Sequence, residues 1–592
     1  MLLLRICLIF VYFSLCVAQI PVTVNTNVGS IMGFQQNITV DGEQKLISKF
    51  LGIPFAESTA GTNRFRKPVP KAPFQGIFDA RNIPVACYQQ SAQDTATVKD
   101  VYGVTGFSED CLTLNIYVPH ELRANDLLPV MVWIYGGGFT QGAASIYKPE
   151  ALALFGNVIV VTINYRIGMF GFLRDSNGAF PGNQGLWDQH LAIKWVHDNI
   201  DGFFGYKDEI TIFGESAGGA SVMLQAIYPG NDGLFKRVIA QSGAAVAPWA
   251  VKEVSSFETY FSDQGCGPNS KTFVTCLQSK DPSSLQSNNT QFGPVIDGEF
   301  LVDSPNEIMH GNSAKTAKAR DFFSSLDIII GVNNVDGAAY FGYFAALLGH
   351  SDVEFNISKN EFRDTIVPTI VNQNLFPKDN DTKLALEKML TFFYTDWKDH
   401  DNYISIREHL LDMSNDVLFF APVAQTVDAH ARLNSGKTYF YQFAVPLRAH
   451  VVPLPSWIKG SNHGDEIQFV LGSPLLSNTS MLGLSNINYT SEEKQVSRAT
   501  MALWSNFAKS GNPNMPVDVT VFANTAWPEY DTTSRRYVQI SNQMSPASVM
   551  EGFYPRRMTF WSDIVPEIKG EHNCEQKETD IFHFDPSLDI VG

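Results

Sequence analysis

From about residue 114 the chain settles into short apolar runs separated by longer stretches of mixed polarity. Residues 114–118, 130–134 (VMVWI), 158–163 (VIVVTI), 210–213 and 237–240 are such runs. They are rich in β-branched residues and bounded by Gly or Asn, a pattern that predicts strands buried on both faces. Between the third and fourth runs, apolar Leu186, Leu191, Ile193, Val196 and Ile200 recur at helical spacing. That periodicity predicts an amphipathic helix over residues 184–200. Strand and helix in alternation imply an α/β class, with a mostly parallel central sheet covered by helices on both faces. Before residue 114 the chain is turn-rich, with strand-like pieces such as Lys49-Phe50-Leu51-Gly52-Ile53. No repeat and no low-complexity linker divides the 592 residues,. One sheet with long inserted helical segments is therefore expected to organise residues 19–568 as a single domain, followed by a tail over 569–592.

Composition adds a compartment and removes some partners. Apolar residues make up 44% and charged residues 17%, which permits a large core,. The net charge of −17, with no Lys/Arg run, argues against nucleic acid and anionic lipid as partners,. Residues 1–18 (MLLLRICLIFVYFSLCVA) are apolar apart from Arg5 and Ser14, with small residues at Cys16 and Ala18. This is the pattern of a signal peptide cleaved after Ala18, the rival being an uncleaved anchor. After its removal no membrane span is expected. Five of the seven cysteines would then remain. Cys87 with Cys111 can close one loop and Cys266 with Cys276 a shorter one, which leaves Cys574 as a free thiol or as the bridge of a homodimer. Sequons at Asn37, Asn288, Asn356, Asn380, Asn478 and Asn488 are candidate glycan sites,.

The candidate chemistry centres on Gly214-Glu215-Ser216-Ala217-Gly218. Gly-x-Ser-x-Gly alone is a weak signal. Here it follows a predicted strand and opens a predicted helix, which is the setting of a nucleophile on a sharp turn where side chains at the glycines would meet backbone. The bland alternative is a glycine-rich turn with an inert serine. The run at 130–134 leads straight into Tyr135-Gly136-Gly137-Gly138-Phe139. Bare N–H groups at Gly137 and Gly138, with that of Ala217, would make a three-donor oxyanion hole.

These segments closely resemble the type-B carboxylesterase/cholinesterase family of the α/β-hydrolase fold, from about residue 20 to about 565. Glu109-Asp110-Cys111-Leu112 is similar to the family's disulfide-bearing strand, and Asn183-Gln184-Gly185-Leu186-Trp187-Asp188-Gln189 to the helix before its nucleophile. The resemblance implies the Cys87–Cys111 bridge and places the remaining catalytic groups. His463, in Gly460-Ser461-Asn462-His463-Gly464-Asp465-Glu466, matches the family's His-Gly-x-Glu loop and would be the general base,. Without the resemblance it would read as an exposed loop histidine. Asp336, before Gly337 and after a strand ending at Gly331, stands where the family usually carries Glu, one methylene longer. Asp336 would orient His463, its alternative being a solvated turn aspartate. The segment Phe203-Phe204-Gly205-Tyr206-Lys207 departs from the family's Phe-Gly-Gly-Asp-Pro, with a packing consequence expected.

Three readings of function follow. The first is a secreted serine carboxylesterase of broad specificity, acting on small-molecule esters through an acyl-enzyme and needing no cofactor or metal. Its pocket would include Glu215, Asn288, Thr290 and Phe292, wider than the phenylalanine-lined acyl pocket of acetyl-selective relatives. Glu215 would add negative potential, or serve as a structural carboxylate. The second reading is a cholinesterase. It is weakened because residues 100–107 hold no Trp to meet a quaternary ammonium by cation–π attraction, with only Tyr102 to stand in,. The third is a non-catalytic adhesion or scaffold protein on the same fold.

Overall fold

The computed structural model describes residues 20–570 apart from 90–103, 120–126, 175–179, 181, 253–264, 268–271, 286–291, 352–353, 355, 478–479 and 520–524. The signal segment, Tyr102, Asn288, Thr290, Asn478 and Cys574 lie outside the described residues.

Among the described residues thirteen strands form one sheet. In chain order they are β1 (Ile20–Thr26), β2 (Gly29–Val40), β3 (Glu43–Pro54), β4 (Ile77–Asp79), β5 (Thr113–Pro119), β6 (Leu128–Ile134) and β7 (Ile159–Ile163). Then come β8 (Gly205–Glu215), β9 (Arg237–Gln241), β10 (Asp327–Asn333), β11 (Thr438–Phe443), β12 (Arg536–Ile540) and β13 (Val549–Glu551). Their spatial order is β1-β2-β3-β5-β7-β6-β8-β9-β10-β11-β12-β13, with β4 beside β2. From β7 to β12 every pairing is parallel. The margins β1-β2-β3-β5-β7 and β12-β13 are antiparallel. Every residue of β7, β9 and β11 is buried, so both sheet faces are covered. That is what continuous β-branched and aromatic runs require, since a strand with one wet face would alternate.

The apolar runs fall on β5, β6, β7, β8 and β9, but β8 is longer than its run. It starts at Gly205, immediately after Phe204, which has a left-handed φ of 66°. Packing explains the departure there: Phe203 is buried, edge-on to Phe50 at 4.9 Å. The expected helix is α1 (Gln184–Asn199). Four more helices bear on the site: α2 (Ala217–Ala226), α3 (Tyr403–Asn415), α4 (Ala421–Leu433) and α5 (Ser491–Ser510). No helix among the described residues is long and apolar enough to cross a membrane.

Both expected bridges are formed, Cys87–Cys111 and Cys266–Cys276. Cys111 lies just before β5 and its carbonyl accepts from Asn164 Nδ2, so the first bridge ties a loop to the sheet. For a closure 24 residues apart, removing both Cys87 and Cys111 (each to Ala) should cost about 3 kcal/mol,. A lowered denaturant midpoint for the double variant would be the readout, and an unchanged midpoint would contradict it. Among the sequons, Asn37, Asn356, Asn380 and Asn488 are exposed.

Candidate active site

The register of the parallel strands assembles the site. Glu215 pairs with Gln241 across β8 and β9, and Gln241 with Gly331 across β9 and β10. The carboxyl ends of β8 and β9 therefore stop at one level, with β10 running two residues further to Asn333, and strand ends of this kind are where open α/β sheets bind ligands,. Ser216 follows β8 with φ 58° and ψ −123°, outside the conformations an ordinary residue prefers. Such a backbone is costly and persists only when its surroundings fix it. Here the Ser216 N–H donates to Gln241 O at 2.8 Å and its carbonyl accepts from Ala220 N at 2.8 Å. A Cβ on Gly214 would stand 2.4 Å from Ile134 O, and one on Gly218 only 2.0 Å from the same oxygen. Both positions must be glycine for the turn to lie against β6.

The residues expected to act together meet. Ser216 Oγ lies 2.8 Å from His463 Nε2, and His463 Nδ1 lies 3.0 Å from Asp336 Oδ1. The shorter aspartate side chain therefore reaches its partner. Its other oxygen, Oδ2, accepts from Asn333 N at 2.7 Å and Ser242 Oγ at 2.9 Å. Asp336 is fully buried, and the N–H of the next residue, Gly337, donates to Asn415 Oδ1 at 2.7 Å from the end of α3. The His463 loop is held as firmly. Asn462 N donates to Asp465 Oδ2 at 2.6 Å, and Val451 N to Asp465 Oδ1 at 2.8 Å. The histidine is largely buried, with 16% of its side chain exposed, whereas a loop histidine read without the resemblance would be open to solvent.

Gly137 and Gly138 follow β6 with φ of 105° and 63°. The loop is ordered, since Gly137 O accepts from Thr140 N and Gln141 N, each at 3.1 Å. Tyr135 and Tyr165 stack at 4.5 Å beneath it and exchange hydroxyl-to-carbonyl bonds at 3.0 and 2.9 Å. Ala217 opens α2 immediately after Ser216. A serine beside an imidazole with an acid behind it can move a proton and attack a carbonyl, and the N–H groups of the glycine loop and of Ala217 are the candidate donors for an oxyanion. Phe292 is buried, and its neighbour Gly293 lies against Phe139 of the glycine loop.

Other groups crowd His463 that sequence reading did not connect to it. Glu215 Oε1 stands 3.3 Å from Nε2, and the Phe419 ring lies 4.6 Å from the imidazole. Phe419 belongs to a π-helical turn, Asp416–Phe420, that joins α3 to α4 just ahead of Pro422. Glu466 is fully buried and accepts from Gln241 Nε2 at 2.9 Å and from Asn333 Nδ2. Glu466 is spelled out in the His-Gly-x-Glu motif; Ser242 and Phe419 carry no such mark. Burial pushes the Glu215 carboxyl up from its ordinary range, opposed by His463 and reinforced by Glu466 and Asp336. Burial alone would push His463 down. Glu215, then Asp336 at Nδ1, outweigh it and hold the imidazole well above its ordinary value,.

Comparison with known proteins finds the family of the whole chain. A model of the carboxylesterase family matches residues 21–561. The chain is 36% identical to an acetylcholinesterase of Bungarus fasciatus, over 95% of this chain and 90% of that protein. It is 33% identical to a bile salt-activated lipase of Bos taurus, over 91% and 87%. An acetylcholinesterase 1 of Caenorhabditis elegans is 34% identical, over 88% and 85%. The family match over nearly the whole chain agrees with the fold, and the chain belongs to the carboxylesterase family of serine ester hydrolases.

Proposed function

We propose that this is an exported carboxylesterase of broad acyl preference, working through an acyl-enzyme on Ser216. The observation that carries the proposal is the continuous line from Ser216 Oγ through His463 to Asp336, at 2.8 and 3.0 Å. Ser216 Oγ attacks the ester carbonyl carbon while its proton passes to His463 Nε2. The oxygen that gains the electron pair is held by the N–H groups of Gly137, Gly138 and Ala217. Collapse of the tetrahedral adduct expels the alcohol oxygen, which takes the proton from His463. Water then attacks the acyl group by the same route, releasing the acid and restoring Ser216. Export is supported by the apolar residues 1–18 and by two disulfides, which persist in oxidising compartments,.

Only an imidazole free of its second proton can accept from Ser216, so activity falls as pH drops through the His463 titration. Glu215 raises that titration. Glu215→Gln should therefore move the acid limb of the kcat/KM profile to lower pH,. A limb that stays put or moves upward would mean that Glu215 acts on something other than His463.

Likeness to acetylcholinesterases favours a second reading, turnover of choline esters. Against it, no indole lies within residues 100–107. Loss of a desolvated cation–π contact of about 2 kcal/mol corresponds to roughly thirtyfold. Initial rates on p-nitrophenyl acetate, butyrate and octanoate, with acetylthiocholine alongside, separate the two. Broad preference predicts the three nitrophenyl esters within about tenfold of one another. It also predicts acetylthiocholine lower by roughly thirtyfold or more. Acetylthiocholine as the best substrate would overturn this reading in favour of the second.

A further inference from the structure

The acid and the base of the reacting line lean on one short segment, the junction of α3 and α4. Asn415, the last residue of α3, accepts from Gly337 N and so holds the backbone that carries Asp336. Gly337 is pressed against that helix end: a Cβ there would stand 2.4 Å from Asn415 N and 2.6 Å from Ser414 C. A few residues on, in the π-helical turn Asp416–Phe420, the Phe419 ring packs 4.6 Å from the His463 imidazole. Such turns are rare and recur at functional sites. This one is held from two sides. Pro422 has no N–H to offer Leu418 O, and Trp249 Nε1 donates there instead at 2.8 Å,.

The other anchor is ionic. Asp416, the first residue of the turn, is fully buried. Arg557, 141 residues away in the short helix Pro555–Thr559, meets it with two parallel bonds, Nε to Oδ2 at 2.6 Å and Nη2 to Oδ1 at 2.5 Å. The same guanidinium donates to Asp412 Oδ1 at 2.8 Å and to Asp412 O at 3.1 Å, one turn earlier on α3. Tyr394 Oη also donates to Asp416 Oδ2, at 2.6 Å, and accepts from Trp561 Nε1 at 2.7 Å. A forked guanidinium fixes the direction of a carboxylate as well as its distance. A buried carboxylate that loses the fork has no water to turn to, so the turn must shift to relieve it.

We propose that Arg557 is a positioning residue for the ester chemistry: by clamping Asp416 it places Asn415 and Phe419, and through them the Asp336–His463 pair. This role rests on the Ser216 chemistry proposed above. Full-length wild type would be compared with Arg557→Met, Arg557→Lys, Tyr394→Phe and a control, Arg556→Met, whose side chain lies over the Phe393 ring instead. On p-nitrophenyl butyrate, Arg557→Met should lower kcat by about tenfold to a hundredfold, the scale of a small misplacement, and leave KM within about threefold. Arg557→Lys keeps the charge without the fork and should fall between Met and wild type. Tyr394→Phe keeps the ion pair and should lower kcat by about fivefold, the scale of one bond. Arg556→Met should match wild type. The proton shared by His463 Nδ1 and Asp336 gives a far-downfield NMR signal, which should move upfield or broaden in Arg557→Met while circular dichroism shows the chain folded. Wild-type kcat in folded Arg557→Met would overturn the role. So would a loss of activity with that resonance unchanged, the mark of general destabilisation. If Arg557→Met did not fold, wild-type kcat and resonance in Tyr394→Phe would overturn it equally. The resonance needs no ester, so failure of the nucleophile reading, seen as Ser216→Ala retaining its rate, is told apart from failure of this one.

Discussion

Replacing Ser216 by alanine is expected to lower kcat for p-nitrophenyl butyrate by about 10⁵-fold or more, with the fold intact. The size of the effect follows from how much of the mechanism passes through one oxygen. Without Oγ no acyl-enzyme forms, and His463 Nε2, 2.8 Å from that oxygen, has no proton to take. What survives is the residual rate that an oxyanion hole and substrate binding provide, roughly 10³–10⁴ above water. The left-handed turn itself should persist, because it is fixed by Gly214, Gly218 and the Ser216 N–H to Gln241 O bond rather than by the hydroxyl. Steady-state kinetics with an unfolding curve alongside would check both halves. Retention of even a few per cent of the wild-type rate in a preparation free of wild type would remove Ser216 as nucleophile.

Asp336→Asn should lower kcat by roughly 10³–10⁴-fold, for a reason visible in the hydrogen bonds of the carboxylate. Oδ2 accepts from the backbone N–H of Asn333, which cannot turn away, and from Ser242 Oγ. In the amide, the oxygen must take that position and the NH₂ must face His463. An NH₂ donates, so Nδ1 of His463 would have to accept and the ring proton would move to Nε2, toward Ser216. The imidazole would then be unable to take the serine proton. Asp336→Glu, which restores the acid found more commonly in this family, should lose far less. If Asn and Glu variants lost activity equally, the loss would stem from packing at a fully buried site rather than from the tautomer.

Much of this architecture was legible because the central strands announce themselves. β6, β7 and β9 are buried on both faces, and nothing but continuous apolar sequence satisfies that. The nucleophile turn was legible for a related reason, since two glycines are demanded by one carbonyl, Ile134 O. The antiparallel margin was less so. β2 reads GSIMGFQQNITV, with exposed and half-buried positions breaking any simple alternation. His463 was identifiable by resemblance to a family loop; its residues alone suggest exposure. The contacts that finish the site were out of reach for another reason. Ser242 meets Asp336 because β9 and β10 are in register at Gln241 and Gly331, across 94 residues of chain. Phe419 reaches His463 because one π-helical turn rotates it there. Register and helical phase are properties of the assembled sheet and its cover, and no local pattern encodes them.

Ser216 and His463 stand 247 residues apart in the chain. At a synthesis rate of about 5–20 residues per second, the second emerges from the ribosome some tens of seconds after the first. β11 and β12, which close one side of the sheet, emerge later than Ser216 as well. Throughout that interval the serine turn has no base beside it, so the nascent chain cannot attack an ester. Reactivity at Ser216 therefore waits until the His463 loop has been made and folded against it.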